Sequence, residues 1–387
     1  MSIKISSQFD AGAIEIVNAT SASAIDLNIR KDSHADITQW FYFRLQGAQA
    51  TPCTIRLLNA GQSAYPKGWE DYNAMASYDR INWFRVPTSF DGQVLTIEHT
   101  PGMDSVYYAY FEPYSWERHL ELLDRAQLSE NVRMLDLGST VDGRDLNMLV
   151  IGEPAAGAPA AGAPAAGKKK VWVIARQHPG ETMAEWFVEG MLDALLDPSH
   201  PFGRQLLKES VFYVVPNMNP DGSVRGNLRT NAAGANLNRE WYNPTMERSP
   251  EVFLVRQKMH ETGVDVCLDV HGDEGLPYVF VAGSDALPNF TPEQAAAEKA
   301  FAENFMIASP DFQTDYGYEK VPFTDEVLTM GSPYITHAFG CLSLTLELPF
   351  KDNANDPDPQ VGWDGARSAR LGAAVLQPVL QALRALK

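Results

Sequence analysis

The chain has 387 residues, 45% of them apolar and 21% charged, an ordinary globular composition that excludes wholesale disorder and suits one large or two smaller domains. Thirty-one Lys and Arg against 49 Asp and Glu leave a formal net charge of −18, which repels phosphate backbones and anionic lipid and so argues against nucleic acid or membrane as partners. Three widely spaced cysteines, Cys53, Cys267 and Cys341, suit free thiols in a reducing compartment, and with no apolar leader of secretory length and no run of about 18 apolar residues the expected address is cytoplasmic.

From Ile14 to Phe111 the chain returns to short alternating apolar runs at 14–17, 40–45, 54–58, 94–97 and 106–111, separated by turn-formers such as Asn59-Ala60-Gly61 and Asp91-Gly92. Strands with no intervening amphipathic helix predict an antiparallel β-sandwich, taken as a domain over residues 1–113. Its tryptophans Trp40, Trp69 and Trp83 and the Tyr107-Tyr108 pair read as core or interdomain packing.

After Glu112-Pro113 the periodicity changes. Helical spacing runs over 116–127, and near-continuous apolar strands are expected at 171–175, 211–215, 264–270 and 342–346. Helices are expected at 182–196, 250–262, 292–307 and 366–386. Strands alternating with helices predict an α/β domain over 114–387, with a mostly parallel mixed sheet covered by helices on both faces. The Pro-Ala-Gly tract at 154–167 reads as a looped-out insertion, and Lys168-Lys169-Lys170 as a solvated charge run.

Open α/β sheets carry their sites beyond the carboxyl ends of the strands. The first such exit runs Arg176-Gln177-His178-Pro179-Gly180-Glu181. There a His and a Glu separated by two residues can converge on one metal ion; His271, at the exit of the 264–270 strand, is the third candidate ligand. Two imidazoles and a carboxylate leave an open position, the catalytic rather than the structural arrangement for zinc. Asp269 either orients a ligand or caps a strand end. Surface or core packing is the reading for His34, His99, His119, His200 and His260, and His337 lies nearer the last site strand. The stretch from Asn217 to Trp241 reads as a long polar loop in which Asn238 and Arg239 could hold a substrate carboxylate. Glu347, a carboxylate inside an apolar strand, meets a cation or water, pairs with an arginine, or titrates upward; beside a metal-activated water it would be a general base.

Taken together, His178-Pro179-Gly180-Glu181, Asn219-Pro220-Asp221-Gly222, the run Gly226-Asn227-Leu228-Arg229 to Leu237-Asn238-Arg239, His271 and Glu347 resemble the zinc metallocarboxypeptidases related to carboxypeptidase A. The compact run from Gly226 to Arg239, together with an N-terminal β domain, most resembles the cytosolic carboxypeptidase branch, including its bacterial members. The resemblance implies one Zn2+ per chain on His178, Glu181 and His271, with Glu347 as general base of a promoted-water mechanism. It implies Arg229 as the carbonyl-polarising residue, and Asn238 and Arg239 as the clamp on the substrate carboxylate. The implied reaction is hydrolysis of the C-terminal peptide bond, or an isopeptide-type glutamyl bond, of peptides or protein tails. An N-acyl amino acid deacylase of the same superfamily and a non-catalytic peptide-binding protein are the alternatives. The chain departs from the family pattern at Asn236, where Asp is usual, and no Lys or Arg occurs from Val321 to Phe350, so acidic side-chain preference has no support there. Tyr316, Tyr318 and Tyr334 precede Glu347 without identifying the active-site tyrosine, and oligomeric state is open.

Overall fold

The protein is described by a computed structural model over residues 3–152, 167–320 and 322–386. The tract expected to loop out at 154–167 lies, but for Gly167, outside the described residues. Two five-stranded sheets form the N-terminal sandwich from β1 (Lys4–Ser6), β2 (Glu15–Ser21), β3 (Ala24–Asn28), β4 (Tyr42–Gln46), β5 (Cys53–Leu57), β6 (Ala74–Ser77), β7 (Trp83–Val86), β8 (Thr88–Phe90), β9 (Leu95–His99) and β10 (Ser105–Ala109). One sheet has the order β1-β4-β10-β6-β7 and the other β2-β3-β5-β9-β8. The expected all-antiparallel pairing has one exception: β3 and β5 run parallel, with Ile25 opposite Ile55.

Among the described residues the second sheet system has seven strands: β11 (Val132–Ser139), β12 (Asp145–Ile151), β13 (Lys169–Ala175), β14 (Ser210–Val215), β15 (Val266–Asp273), β16 (Phe280–Ala282) and β17 (Leu342–Pro349), in the order β11-β12-β14-β13-β15-β17-β16. The central four, β14, β13, β15 and β17, are mutually parallel, and antiparallel strands finish both edges. Helices α1 (Trp116–Gln127), α2 (Met183–Leu196), α3 (Pro201–Glu209), α4 (Pro220–Arg225), α5 (Pro250–Thr262), α6 (Pro292–Ala308), α7 (Gly331–Phe339), α8 (Gly365–Ala374) and α9 (Leu376–Ala385) accompany it.

Alternation along β13 explains the layering. Val171, Val173 and Ala175 enter one buried cluster, while Trp172 and Ile174 enter the other, shared with α5 and α7, as a period of two requires when both faces are covered. The single helix expected over 366–386 is instead α8 and α9, joined at Val375. Pro378 lacks the N–H that would bond back to Ala374 in a continuous helix. Helices α2 and α8 cross closely: a Cβ on Gly190 would lie 1.9 Å from the Ala369 carbonyl oxygen, and one on Gly372 1.9 Å from that of Phe187.

The first of the two clusters is continuous with the sandwich core. At the junction Tyr110 stacks on Phe350 with ring centroids 4.5 Å apart, and Arg85 donates to the carbonyls of Phe350 at 2.8 Å and Trp363 at 2.9 Å. The sandwich is thus anchored beside the carboxyl end of β17. All three cysteines are buried and unbridged, and no described helix is long and apolar enough to cross a membrane.

Candidate active site

β13 ends at Ala175, and Arg176 turns the chain with a φ of +60°. Non-glycine residues adopt this left-handed conformation only where surroundings enforce it. Buried Arg176 is held by three bonds: Nε to the Pro179 carbonyl at 2.9 Å, Nη1 to the Tyr114 carbonyl at 3.0 Å and Nη1 to Glu185 Oε2 at 2.7 Å. Glu185, also buried, receives His119 Nδ1 at 2.5 Å and Asn217 Nδ2 at 3.2 Å. His119 is therefore a core residue of this network, as packing predicted. Glu185→Ala would leave the Arg176 guanidinium buried without its counter-charge, a change that typically costs about 3–5 kcal/mol. We expect Glu185→Gln, which keeps an acceptor but loses the counter-charge, to lower the urea midpoint, and Glu185→Ala to lower it further; a wild-type midpoint for Glu185→Gln would remove the charge argument.

The turn delivers His178 and Glu181 to the strand exits. Met183 opens α2, two residues after Glu181. His271 lies within β15 rather than beyond it, since that strand extends to Asp273. His178 Nδ1 is 2.7 Å from Glu181 Oε1, His271 Nδ1 is 2.9 Å from Glu181 Oε2, and the two Nδ1 atoms are 3.1 Å apart. One ligand atom from each of the three buried residues falls within 4.8 Å of the others. Two imidazole nitrogens and a carboxylate at these separations suit a zinc ion.

The far ring nitrogens face oxygens too. His178 Nε2 is hydrogen-bonded to Asn236 Oδ1 at 3.0 Å, and His271 Nε2 lies 3.0 Å from Asp269 Oδ1 as an ion-pair contact, so each Nδ1 is left facing the cluster. At Asn236, where the family usually has Asp, the amide oxygen makes this bond. Asp269 faces the ligand, which decides the earlier alternative, and Gln177 Nε2 donates to its other oxygen at 2.7 Å.

Burial, and then the charge of Arg229, lower the His178 pKa to about 4. Burial alone would lower His271, but the Asp269 and Glu181 carboxylates outweigh it and raise the imidazole well above its ordinary value. For Glu181 burial acts upward, and the two imidazoles more than reverse it.

Glu347 comes from β17, where it is the register partner of His271. Burial raises its carboxyl well above the usual range, partly offset by His271. Its Oε1 lies 2.9 Å from the Tyr318 hydroxyl, which is also 2.7 Å from Asp273 Oδ2. Sequence reasoning left the tyrosine open; only the folded chain brings position 318 to Glu347.

The Asn217–Trp241 stretch is not all loop. Asn219 caps α4 by accepting from Gly222 N at 3.1 Å, Pro220 occupies its first turn, and Gly226 ends it with a φ of +68°, signals that were readable in advance. Beyond it Arg229 Nη1 lies 3.9 Å from Glu181 Oε1, its guanidinium 5.2 Å from the Tyr65 ring centroid. Asn238 Oδ1 accepts from Gly331 N at 2.8 Å. Arg239 is solvent-exposed, and partial desolvation and the nearby Arg229 charge lower its pKa. His337 is exposed on α7 and is not among the three grouped ligands.

The family model described as cytosolic carboxypeptidase N-terminal domain matches residues 5–111, and that described as zinc carboxypeptidase matches residues 118–358. A metallo-carboxypeptidase from Burkholderia cenocepacia is 54% identical in sequence, with a TM-score of 0.95 over 99% of this chain and 100% of that one. A metallo-carboxypeptidase from Pseudomonas aeruginosa, solved in complex with (2-guanidinoethylmercapto)succinic acid, is 43% identical, with a TM-score of 0.93 over 99% of this chain and 100% of that one. Human Cytosolic carboxypeptidase 1 is 26% identical over 83% of this chain, which spans only 28% of that larger protein.

Proposed function

Because the chain belongs to the zinc carboxypeptidase family and carries the N-terminal domain of its cytosolic branch, we propose that it releases the C-terminal residue of peptides or protein tails. In this reading residues 114–387 form the catalytic domain and 1–113 the accessory one. The observation that carries it is the convergence of His178, Glu181 and His271 with Glu347 and Arg229 at their edge. The three buried donors fit one zinc ion with an open position. Bound there, zinc supplies Lewis acidity and makes a water nucleophilic near neutral pH.

The chain's own groups do the rest. Glu347 takes the proton of the attacking water and returns it to the leaving amine. Arg229 donates to the scissile carbonyl as negative charge grows on its oxygen. Asn238 and Arg239 hold the substrate's terminal carboxylate. Asn238 has its carbonyl oxygen engaged by Gly331, so its amide donors are what it offers an anion, and Arg239 adds a planar fork of donors. Tyr318, bonded to Glu347, is the active-site tyrosine in this reading. A carboxylate clamp also accords with the succinic acid derivative bound by the Pseudomonas relative.

The test compares peptides with free and amidated C-termini on zinc-loaded protein. Losing charge-assisted bonds worth about 1.5–3 kcal/mol each should lower kcat/KM for the amide by roughly 10²-fold or more. Equal cleavage of both would overturn the exopeptidase reading, and cleavage of N-acyl amino acids alone would turn it into a deacylase.

A further inference from the structure

We infer that the N-terminal sandwich is part of the catalytic apparatus, with Asp32 as a positioning residue that sets the main chain beneath Arg229. The inference rests on the proposed role of Arg229. Asp32 is buried, 5% exposed, and its carboxylate lies against three consecutive peptide N–H groups from a segment nearly 200 positions away. Oδ1 accepts from Leu228 N at 2.7 Å, and Oδ2 accepts from Arg229 N at 2.8 Å and Thr230 N at 2.9 Å. The Thr230 hydroxyl adds a fourth donor at 3.1 Å. A carboxylate that satisfies a run of peptide donors fixes their dihedral angles together.

The segment has no ladder of its own to do this: between α4 and the short helical turn at Leu237–Arg239 no strand or helix is assigned. The sandwich also touches the flank that precedes this segment. Ser33 N donates to Asn227 Oδ1 at 3.0 Å, and Ala11 N donates to the Val224 carbonyl at 3.0 Å. At Gly226 a Cβ would lie 2.5 Å from the Ala11 carbonyl oxygen, so the approach needs glycine there. Tyr65, also from the sandwich, lies 5.2 Å from the Arg229 guanidinium. Main chain and side chain of Arg229 are thus both held from the accessory domain.

Since a displacement near 1 Å can cost about 10²-fold in rate, Asp32→Asn, which turns an amide N–H₂ toward peptide donors, is expected to lower kcat by roughly tenfold to a hundredfold. Zinc content by atomic absorption and KM for a free-acid peptide should stay within about twofold, because neither metal ligand nor carboxylate clamp is touched. A double-mutant cycle separates positioning from general destabilisation. In an Arg229→Ala background, where no guanidinium remains to be aimed, Asp32→Asn should change kcat by less than about threefold. An equal factor in both backgrounds overturns the inference and leaves the role of Arg229 intact. Unchanged turnover in Arg229→Ala alone overturns that role and the inference with it. If Asp32→Asn does not fold, Thr230→Val removes one of the four donors and enters the same cycle; a kcat loss present only with Arg229 supports the inference, and no loss or an equal loss sinks it.

Discussion

Glu347→Gln is expected to lower kcat by about 10²–10⁴, the usual contribution of a positioned general base, while zinc content and KM stay near wild type. The substitution is close to isosteric and removes one capacity: Gln keeps an oxygen for the Tyr318 hydroxyl, now 2.9 Å from Glu347 Oε1, but accepts no proton from water. Stability supplies an independent check, with its sign set by burial. A carboxyl whose folded pKa is raised by burial, from an ordinary value of 4.5, contributes favourably while protonated. That contribution is lost as the pH climbs from the unfolded value through the raised one. A neutral Gln escapes the loss, so metal-free Glu347→Gln should melt no lower than metal-free wild type at alkaline pH. Stopped turnover in a protein that is zinc-loaded and not destabilised would assign Glu347 to chemistry. Near wild-type kcat would remove it from the mechanism.

The ligand cluster was legible because each member stands at or near the carboxyl end of a strand, where a parallel sheet directs its exits, and because their order along the chain resembles a family. The groups that hold and complete it were not. Asp32 and Tyr65 come from a domain whose strands showed no chemistry, and their partners lie at positions 228–230, so no local spacing could announce them. Tyr318 became distinct from Tyr316 and Tyr334 only when its hydroxyl met Glu347 and Asp273. Strand counts fell short for a related reason. The half-exposed β8 has three residues and β16 three, lengths at which alternation cannot be told from chance, and β11 is polar on much of its surface. The parallel pairing of β3 with β5 joins strands separated by a crossover, a long-range choice that turn residues do not encode.

Removing the metal is expected to abolish hydrolysis altogether and to lower the thermal midpoint, both restored by stoichiometric Zn2+. The three donors are buried together with two imidazole nitrogens 3.1 Å apart, an arrangement favourable around a cation. A ligand present at a thousandfold excess over its dissociation constant stabilises the folded state by about 4 kcal/mol, which for a chain of this size corresponds to a shift of about 5 °C. Uptake should release protons and weaken as the pH falls. Asp269 and Glu181 raise the ligand-free His271 pKa against the effect of burial, so the proton competes for that nitrogen at higher pH than for an ordinary imidazole. His178, lowered to about 4 by burial and Arg229, offers no such competition near neutrality. Calorimetric titration of apo-protein with zinc in buffers of different ionisation enthalpy would count the protons. His271→Ala should lose both the released proton and most of the affinity, since it leaves two donors; a variant that binds zinc as wild type does would exclude this cluster as the metal centre.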